Sequence, residues 1–218
     1  MVSKSDTDPV NILKGLVEML KFVKFSNKFR NVVRTIWYKG NDQPERNGEH
    51  AFQLSLVAWF ICDRFLPHLD LLKVLQYCLA HDLPETYAGD TPAFPDPSGK
   101  SDINQNTHAD KHEREQAAIQ RIDEEWGDTF PSMIKSMLGY EELADEESRF
   151  VYALDKFLAC LNIHEDGGRT NLKLKVTKEA EQAYKWPRIA KHPELLLFYD
   201  AFCKFCKDYP YYYQPTKV

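Results

Sequence analysis

The stretch LDLLKVLQYCLAHDLPETYAGDTP, residues 69–92, decides how this chain is expected to fold. Its first half is dense in apolar residues and runs up to His81-Asp82, and Pro84 then suits the first turn of a new helix. An apolar helix therefore carries an imidazole and a carboxylate to the point where the next helix begins. Because Asp is rarely buried unless it is paired or bound to a metal, this junction is a candidate functional site.

Helical periodicity continues on both sides of this junction. Runs of alternating β-branched residues are nearly absent, and the best strand candidate, residues 172–176, is short. The pattern predicts an all-α, single-domain helical bundle over residues 1–218, with C-terminal helices and an aromatic tail at 170–218. Apolar residues recur at three- and four-residue steps after Asp8-Pro9, and within 51–65, 141–162 and 193–207.

Composition excludes several classes of function. The chain has 218 residues and a formal net charge of −5, so a large basic face for nucleic acid is not expected. Its polar N-terminus and the absence of an 18-residue apolar run predict no membrane partner and a cytoplasmic location. Five cysteines, an odd count, indicate reduced thiols.

Two histidines and two aspartates stand at helical positions where ligands for a metal ion could converge. His50 begins an apolar helix, His81-Asp82 ends another, and Asp155 lies in the middle of a third. In an all-α domain, a metal site in the core is built from side chains that project inward from several helices. This donor set suits Mn²⁺, Co²⁺, Fe²⁺, Zn²⁺ or Ni²⁺, and such an ion can activate water as a nucleophile.

The order of these residues resembles the signature of the HD-domain metal-dependent phosphohydrolases. Within that superfamily the sequence is most similar to the bacterial 5′-deoxynucleotidases, over about residues 30–165, the motif-bearing core. The matching residues are Arg34 and Trp37 of an R-x-x-W motif, Glu49-His50, His81-Asp82 with Glu85, Gly89-Asp90 and Pro92, and Asp155.

The resemblance implies a role for each matched residue. His50, His81, Asp82 and Asp155 would hold one divalent metal ion, whose identity stays open and includes Mg²⁺. Glu85 and Asp90 would be the catalytic carboxylates that orient or deprotonate the attacking water, with Asp90 also near the substrate. Arg34 would bind the phosphate as a charge-assisted fork, and Trp37 would shape the nucleoside end of the pocket. The substrate would be a nucleotide, and the resemblance also implies a homodimer.

Three alternatives to a 5′-deoxynucleoside monophosphatase stay open. A dNTP triphosphohydrolase would need additional Lys or Arg for two more phosphates, and few extra cations stand near the motifs. A dinuclear phosphodiesterase would depend on His108 and His112, four residues apart in a strongly polar stretch. A nucleotide-sensing helical module would keep the pocket without turnover. Ala51 departs from the family, which usually has a small polar residue at this position.

Overall fold

A computed structural model describes residues 8–40, 42–94 and 110–215, and it confirms the all-α prediction. Within those ranges the one β-type pairing is an isolated antiparallel bridge between Val33 and Arg46, and the strand candidate at 172–176 begins inside a short helix that ends at Lys173. No helix in the described part of the chain is long and apolar enough to span a membrane. The helices are α1 Pro9–Arg30, α2 Asn47–Arg64, α3 Leu71–Ala80, α4 Glu85–Ala88, α5 Lys111–Trp126, α6 Pro131–Glu141, α7 Glu146–Glu165, α8 Arg169–Lys173, α9 Lys178–Ile189 and α10 Pro193–Phe205.

Helix α7 is the central element of the larger of two apolar clusters. Phe150 and Leu154 on α7 are fully buried, and they belong to one cluster with Leu54 of α2, Val74 of α3 and Leu195 of α10. A helix that is apolar on most of its circumference is stable only when other helices surround it. The second cluster lies where α1, α5 and α6 meet, and its members include Phe25, Phe29, Ile119, Ile122, Trp126, Met133 and Met137.

A polar network joins the start of α7 to α3. Asp145 caps α7 by accepting a hydrogen bond from the Ser148 backbone N–H at 2.8 Å. The same carboxylate accepts one from the Tyr77 hydroxyl at 2.7 Å and pairs with the Lys73 ammonium at 2.8 Å. Since His81-Asp82 follows α3 and Asp155 lies on α7, this network helps set the relative position of the two helices that carry candidate ligands.

Close packing between α1 and α2 depends on a glycine. A Cβ atom built on Gly48 would lie 2.8 Å from the Cβ atom of Arg30, well inside van der Waals contact. The absence of a side chain at Gly48 lets the end of α1 approach the first turn of α2. His50 is in that first turn, so the close approach of the two helices also fixes the position of its side chain.

The N-terminal part of α1 has the predicted helical periodicity, yet its apolar side chains are not in the core. Asp8 caps the helix as the sequence suggests, and Phe25 and Phe29 near its end are buried. The remaining apolar residues of α1 leave an exposed apolar face. These residues are Val10, Ile12, Leu13, Leu16, Val17, Met19, Leu20 and Val23, each 44–61% exposed.

The aromatic tail packs against its own chain. Tyr209 and Tyr212 lie with ring centroids 5.1 and 5.4 Å from the His164 ring on α7. The Tyr213 hydroxyl donates a hydrogen bond to Glu181 on α9 at 2.8 Å. Pro210–Tyr212 forms a 3₁₀ turn, and the contacts of the tail with His164 and Glu181 link α7 to α9.

We expect the Asp145→Asn variant to be less stable than the wild type near neutral pH, by about 1–2 kcal/mol, since a helix cap and an ion pair are both weakened. Burial raises the pKa of the Asp145 carboxyl, but contacts with Lys73 and Tyr77 lower it by more. The resulting pKa is about 2, below the ordinary value of 3.8. A lowered pKa gives stabilisation that is present above about pH 4 and is lost as the pH falls toward 2. Urea unfolding of both proteins between pH 7 and pH 2.5 should therefore show the difference shrinking with acid. An unchanged difference would contradict this account, and Asp63→Asn on the exposed face of α2 is the control.

Candidate active site

A short backbone pairing brings Arg34 and Glu45 together. The N–H of Arg34 donates to the carbonyl of Glu45 at 2.9 Å, and the N–H of Glu45 donates to the carbonyl of Ile36 at 2.8 Å. Both side chains then point to the same place, where Arg34 Nε lies 3.0 Å from Glu45 Oε1. Glu45 is only 2% exposed. The loop before α2 therefore contributes a buried ion pair that the sequence analysis did not find.

His50, His81 and Asp82 lie close enough to share a ligand. One donor atom from each residue lies within 4.8 Å of the other two, and the two imidazole centroids are 5.3 Å apart. His81 Nε2 is 3.0 Å from an Asp82 carboxylate oxygen. Asp155 joins this group from α7, with Oδ1 3.0 Å from His50 Nε2. The structure thus brings together all four residues predicted to hold the ion.

The imidazole nitrogens have the environment of metal ligands. In the described part of the chain, the Nε2 atoms of His50 and His81 are buried and lack a partner with hydrogen-bond geometry. The opposite nitrogen of His81, Nδ1, lies 3.0 Å from the carbonyl of Cys78, whereas His50 Nδ1 is 3.4 Å from Glu45 and lacks hydrogen-bond geometry as well. Ligating histidines are commonly oriented in this way by an oxygen on the other ring nitrogen. The residues present therefore fit a divalent ion.

Glu85 and Asp90 enter the same cleft from either end of α4. Glu85 is on its first turn and accepts a hydrogen bond from the Asn47 amide at 2.8 Å. Gly89 ends the helix at a φ of 71°, a conformation that residues with a Cβ rarely adopt, and so turns the chain to place Asp90 inside. The two predicted catalytic carboxylates are thus 9% and 7% exposed.

The carboxyl groups of the cleft differ in acidity. Burial and the neighbouring charges of Asp82 and Asp90 raise the pKa of Glu85 well above its ordinary value, and burial also raises the pKa of Asp90. Burial opposes ionisation of Asp82 as well, but His81 and Arg34 hold its pKa below the ordinary value. Carboxyl groups whose environments push their pKa values apart are typical of acid–base sites, because one can hold a proton while its neighbour stays charged.

His50 and Asp155 shift each other's pKa in opposite directions. Burial and the Arg34 charge lower the pKa of His50, yet contacts with Asp155 and Glu45 raise it to about 9. Burial raises the pKa of Asp155, but Lys156 and His50 hold it well below the ordinary value. Ligand atoms must be free of protons to bind a metal ion, so binding at His50 is coupled to proton release.

Arg34 lies at the centre of the carboxylate group. Its guanidinium forms an ion pair with Asp82 and lies 3.9 Å from Glu85 and 3.8 Å from Asp155. Burial lowers the pKa of Arg34, but the charges of Asp82, Asp90, Glu45 and Glu85 together raise it well above the ordinary value. A permanently charged planar group among acidic side chains can balance their repulsion and also bind an anion that enters the cleft.

The cleft has a volume of about 300 Å³ and is lined partly by residues that the sequence analysis did not single out. Lys111, Lys156 and Lys185 are among them, so the expectation of few extra cations near the motifs is wrong. These lysines stand on α5, α7 and α9, and their sequence positions carry no short motif. Three aromatic residues, Tyr140, Tyr152 and Tyr184, also line the cleft.

Two predicted residues lie elsewhere. Trp37 is not among the cleft-lining residues. Its backbone N–H donates to the Thr170 hydroxyl at 3.1 Å, and the Lys173 ammonium is 4.1 Å from the centroid of its indole ring. A role for Trp37 at the nucleoside end stays a prediction. His112 is exposed on α5, and His108 lies outside the described residues, so the dinuclear alternative gains no support.

Known proteins resemble this chain in sequence over most of its length. The family described as HD domain matches residues 26–195. A 5′-deoxynucleotidase HDDC2 of Danio rerio is 28% identical over 149 residues, which cover 67% of this chain and 68% of that protein. A protein of the same name from Dictyostelium discoideum is 25% identical over 154 residues, or 67% of this chain and 76% of its own length.

Solved structures show the same fold. A predicted metal-dependent phosphohydrolase of Magnetospirillum magnetotacticum MS-1 superposes with a TM-score of 0.74 at 23% identity, covering 92% of this chain and 96% of that one. A conserved hypothetical protein of Pyrococcus furiosus gives a TM-score of 0.56 at 18% identity, with coverage of 85% and 99%. The overall helical fold is thus shared with these structures.

Substitutions of Asp82 and Glu85 should separate metal binding from catalysis. We expect Asp82→Ala to lose bound metal and activity together, because Asp82 lies among the candidate ligand atoms. We expect Glu85→Gln to retain metal and to lose about 100-fold or more in rate, the loss typical of a missing acid–base group. Elemental analysis of the purified proteins, together with rates of phosphate release, checks both. Equal loss of metal in the two variants would refute this division of roles, and Asp63→Asn serves as the matched control.

Proposed function

This chain belongs to the HD-domain family, and from that premise we propose that it is a metal-dependent phosphohydrolase that removes the phosphate from 5′-deoxynucleoside monophosphates. The observation that carries the proposal is the convergence of His50, His81, Asp82 and Asp155 with Glu85 in one cleft. The Danio and Dictyostelium relatives, named as 5′-deoxynucleotidases, support the substrate class. A sensing module would gain nothing from a buried carboxyl group of raised pKa beside these residues.

The residues of the cleft divide the chemistry among themselves. His50, His81, Asp82 and Asp155 would hold one divalent ion, which when bound supplies Lewis-acid activation of water and phosphate. Glu85, whose pKa is raised by burial and by Asp82 and Asp90, would take the proton of the attacking water.

The remaining charged groups orient the substrate. Arg34 would donate two hydrogen bonds to the phosphate, and Asp90 would help orient the water. Glu45 lies 3.0 Å from Arg34 Nε and 3.4 Å from His50 Nδ1. It therefore fixes the position of the phosphate-binding Arg34 relative to the metal-binding His50.

Phosphate release from a panel of nucleoside mono-, di- and triphosphates tests this function. After chelation and re-addition of Mn²⁺, Co²⁺ or Mg²⁺, we expect inorganic phosphate from deoxynucleoside monophosphates and little activity on triphosphates. Activity should vanish with chelation and return with one of the ions. Tripolyphosphate as the main product would overturn the choice of substrate, and the three lysines of the cleft make that comparison informative. No activity with any ion or nucleotide would overturn the hydrolase assignment itself.

We also propose that the chain forms a homodimer through the exposed apolar face of α1. Contiguous exposed apolar surface of this kind is typical of protein interfaces. We expect the double substitution Leu16→Glu and Leu20→Glu to convert the dimer to a monomer in light-scattering measurements, because both side chains would become charged within the contact. Leu72→Glu, at a residue 67% exposed on α3, is the control. A monomeric wild type, or a dimer insensitive to both changes, would contradict the proposal.

A further inference from the structure

Lys185 on α9 is a buried cation that no role assigned so far uses. The residue is 5% exposed and lines the cleft. Within the described part of the chain its ammonium forms neither a hydrogen bond nor an ion pair, and it lies 5.9 Å from the centroid of the Tyr184 ring. The side chain is therefore largely buried, while its ammonium is open to the cleft and has no acceptor among the described residues, so it is free to donate to an acceptor that arrives with a ligand.

The internal partner that the sequence offers to Lys185 is engaged elsewhere. Glu181 stands four residues before it on the same helix, a spacing at which Glu and Lys commonly pair. Glu181 instead accepts a hydrogen bond from the Tyr213 hydroxyl at 2.8 Å and one from the Asn171 amide at 3.4 Å. The aromatic tail and α8 thus occupy this carboxylate, and Lys185 is left facing the cleft.

Lys185 lies away from the reacting end of the cleft. The cleft follows α7 from Asp155 through Lys156 to Ala159, about 6 Å along the helix axis. Burial raises the pKa of the Cys160 thiol, one residue further, and Lys185 partly offsets this increase, so the two side chains are neighbours. The charges of Lys111 and Lys156, in contrast, act on Asp90.

Tyr184 supplies a fixed aromatic surface beside this ammonium. The Arg188 guanidinium lies 3.7 Å from the centroid of its ring, and the Phe94 ring centroid is 5.3 Å away. Both contacts restrict the tyrosine while leaving it among the cleft-lining residues. A rigid ring next to a hydrogen-bond donor suits a planar heterocycle better than a second phosphate, which would use no aromatic surface.

We propose that Tyr184 and Lys185 form a base-recognition subsite, in which the Lys185 ammonium donates a hydrogen bond to a carbonyl oxygen of thymine, uracil or guanine beside the Tyr184 ring. This inference rests on the proposed function, because it takes the bound molecule to be a nucleotide whose phosphate lies at the carboxylate end. The subsite selects against adenine, which has no carbonyl oxygen.

Steady-state kinetics on dTMP, dGMP, dAMP and deoxyribose 5-phosphate test the subsite. We expect the wild type to prefer dTMP and dGMP to dAMP, and Lys185→Met to lower kcat/KM for the two carbonyl-bearing nucleotides about 10- to 100-fold. Its kcat/KM for dAMP and deoxyribose 5-phosphate should stay within about threefold of the wild type. Lys135→Met on the exposed face of α6 is the control.

A binding measurement separates this inference from the proposed function. Calorimetric titration with thymidine should show weaker binding to Lys185→Met, whereas titration with inorganic phosphate should not change. If the wild type hydrolyses none of the nucleotides, the proposed function fails, while the thymidine titration still decides the subsite. Met keeps the length of a side chain that has no partner among the described residues, so the variant should fold, and Lys185→Gln provides a second test with a different side chain.

Three results would overturn the subsite. One is a wild type without preference between dTMP and dAMP. Another is an equal loss on all four substrates in Lys185→Met, which would place the ammonium on the sugar phosphate. The third is tighter binding of dTDP than of dTMP to the wild type, with the difference lost in Lys185→Met. That result would make the acceptor a second phosphate.

Discussion

The repulsion among buried carboxylates is the constraint on which the rest of this structure depends. Asp82, Glu85, Asp90 and Asp155 occupy one cleft, and without compensation their charges would oppose its closure. Arg34 supplies a permanent positive charge between them, in an ion pair with Asp82 and within 4 Å of Glu85 and Asp155. The helices can therefore pack tightly around a group of acids that would be costly in most protein interiors.

The positions of these acids depend on packing that is far from them. Phe150 and Leu154 fix α7 in the larger core, Asp145 fixes its first turn to α3, and Gly48 allows α2 to approach α1. Each contact is ordinary by itself. Together they place side chains from three helices within a few ångströms, which is the accuracy that shared ligation requires.

Sequence reasoning reached the fold and the carboxylate end of the cleft because both are locally encoded. Apolar spacing predicts α2, α3 and α7. His81-Asp82 lies where the apolar run of α3 ends and Pro84 indicates the start of the next helix. Glu45 was missed because its partner Arg34 reaches it through a backbone bridge whose register no local pattern records. Tyr184 and Lys185 were missed for a similar reason, since α9 meets α7 only in the folded chain. The roles predicted for individual residues stay predictions. Trp37 matches the motif in sequence but does not line the cleft, so a motif match does not by itself show what a side chain contacts.

The walls of the cleft come from different parts of the chain. The acids and imidazoles come from α2, α3, α4 and α7, whereas part of the opposite wall comes from α9, which is held in place by the aromatic tail through Tyr213 and Glu181. Substitutions in α9 or in the tail can thus reshape that wall while every group at the carboxylate end stays where it is. Changes confined to α9 or the tail would therefore alter which molecules fit the cleft without altering the groups that act on the phosphate.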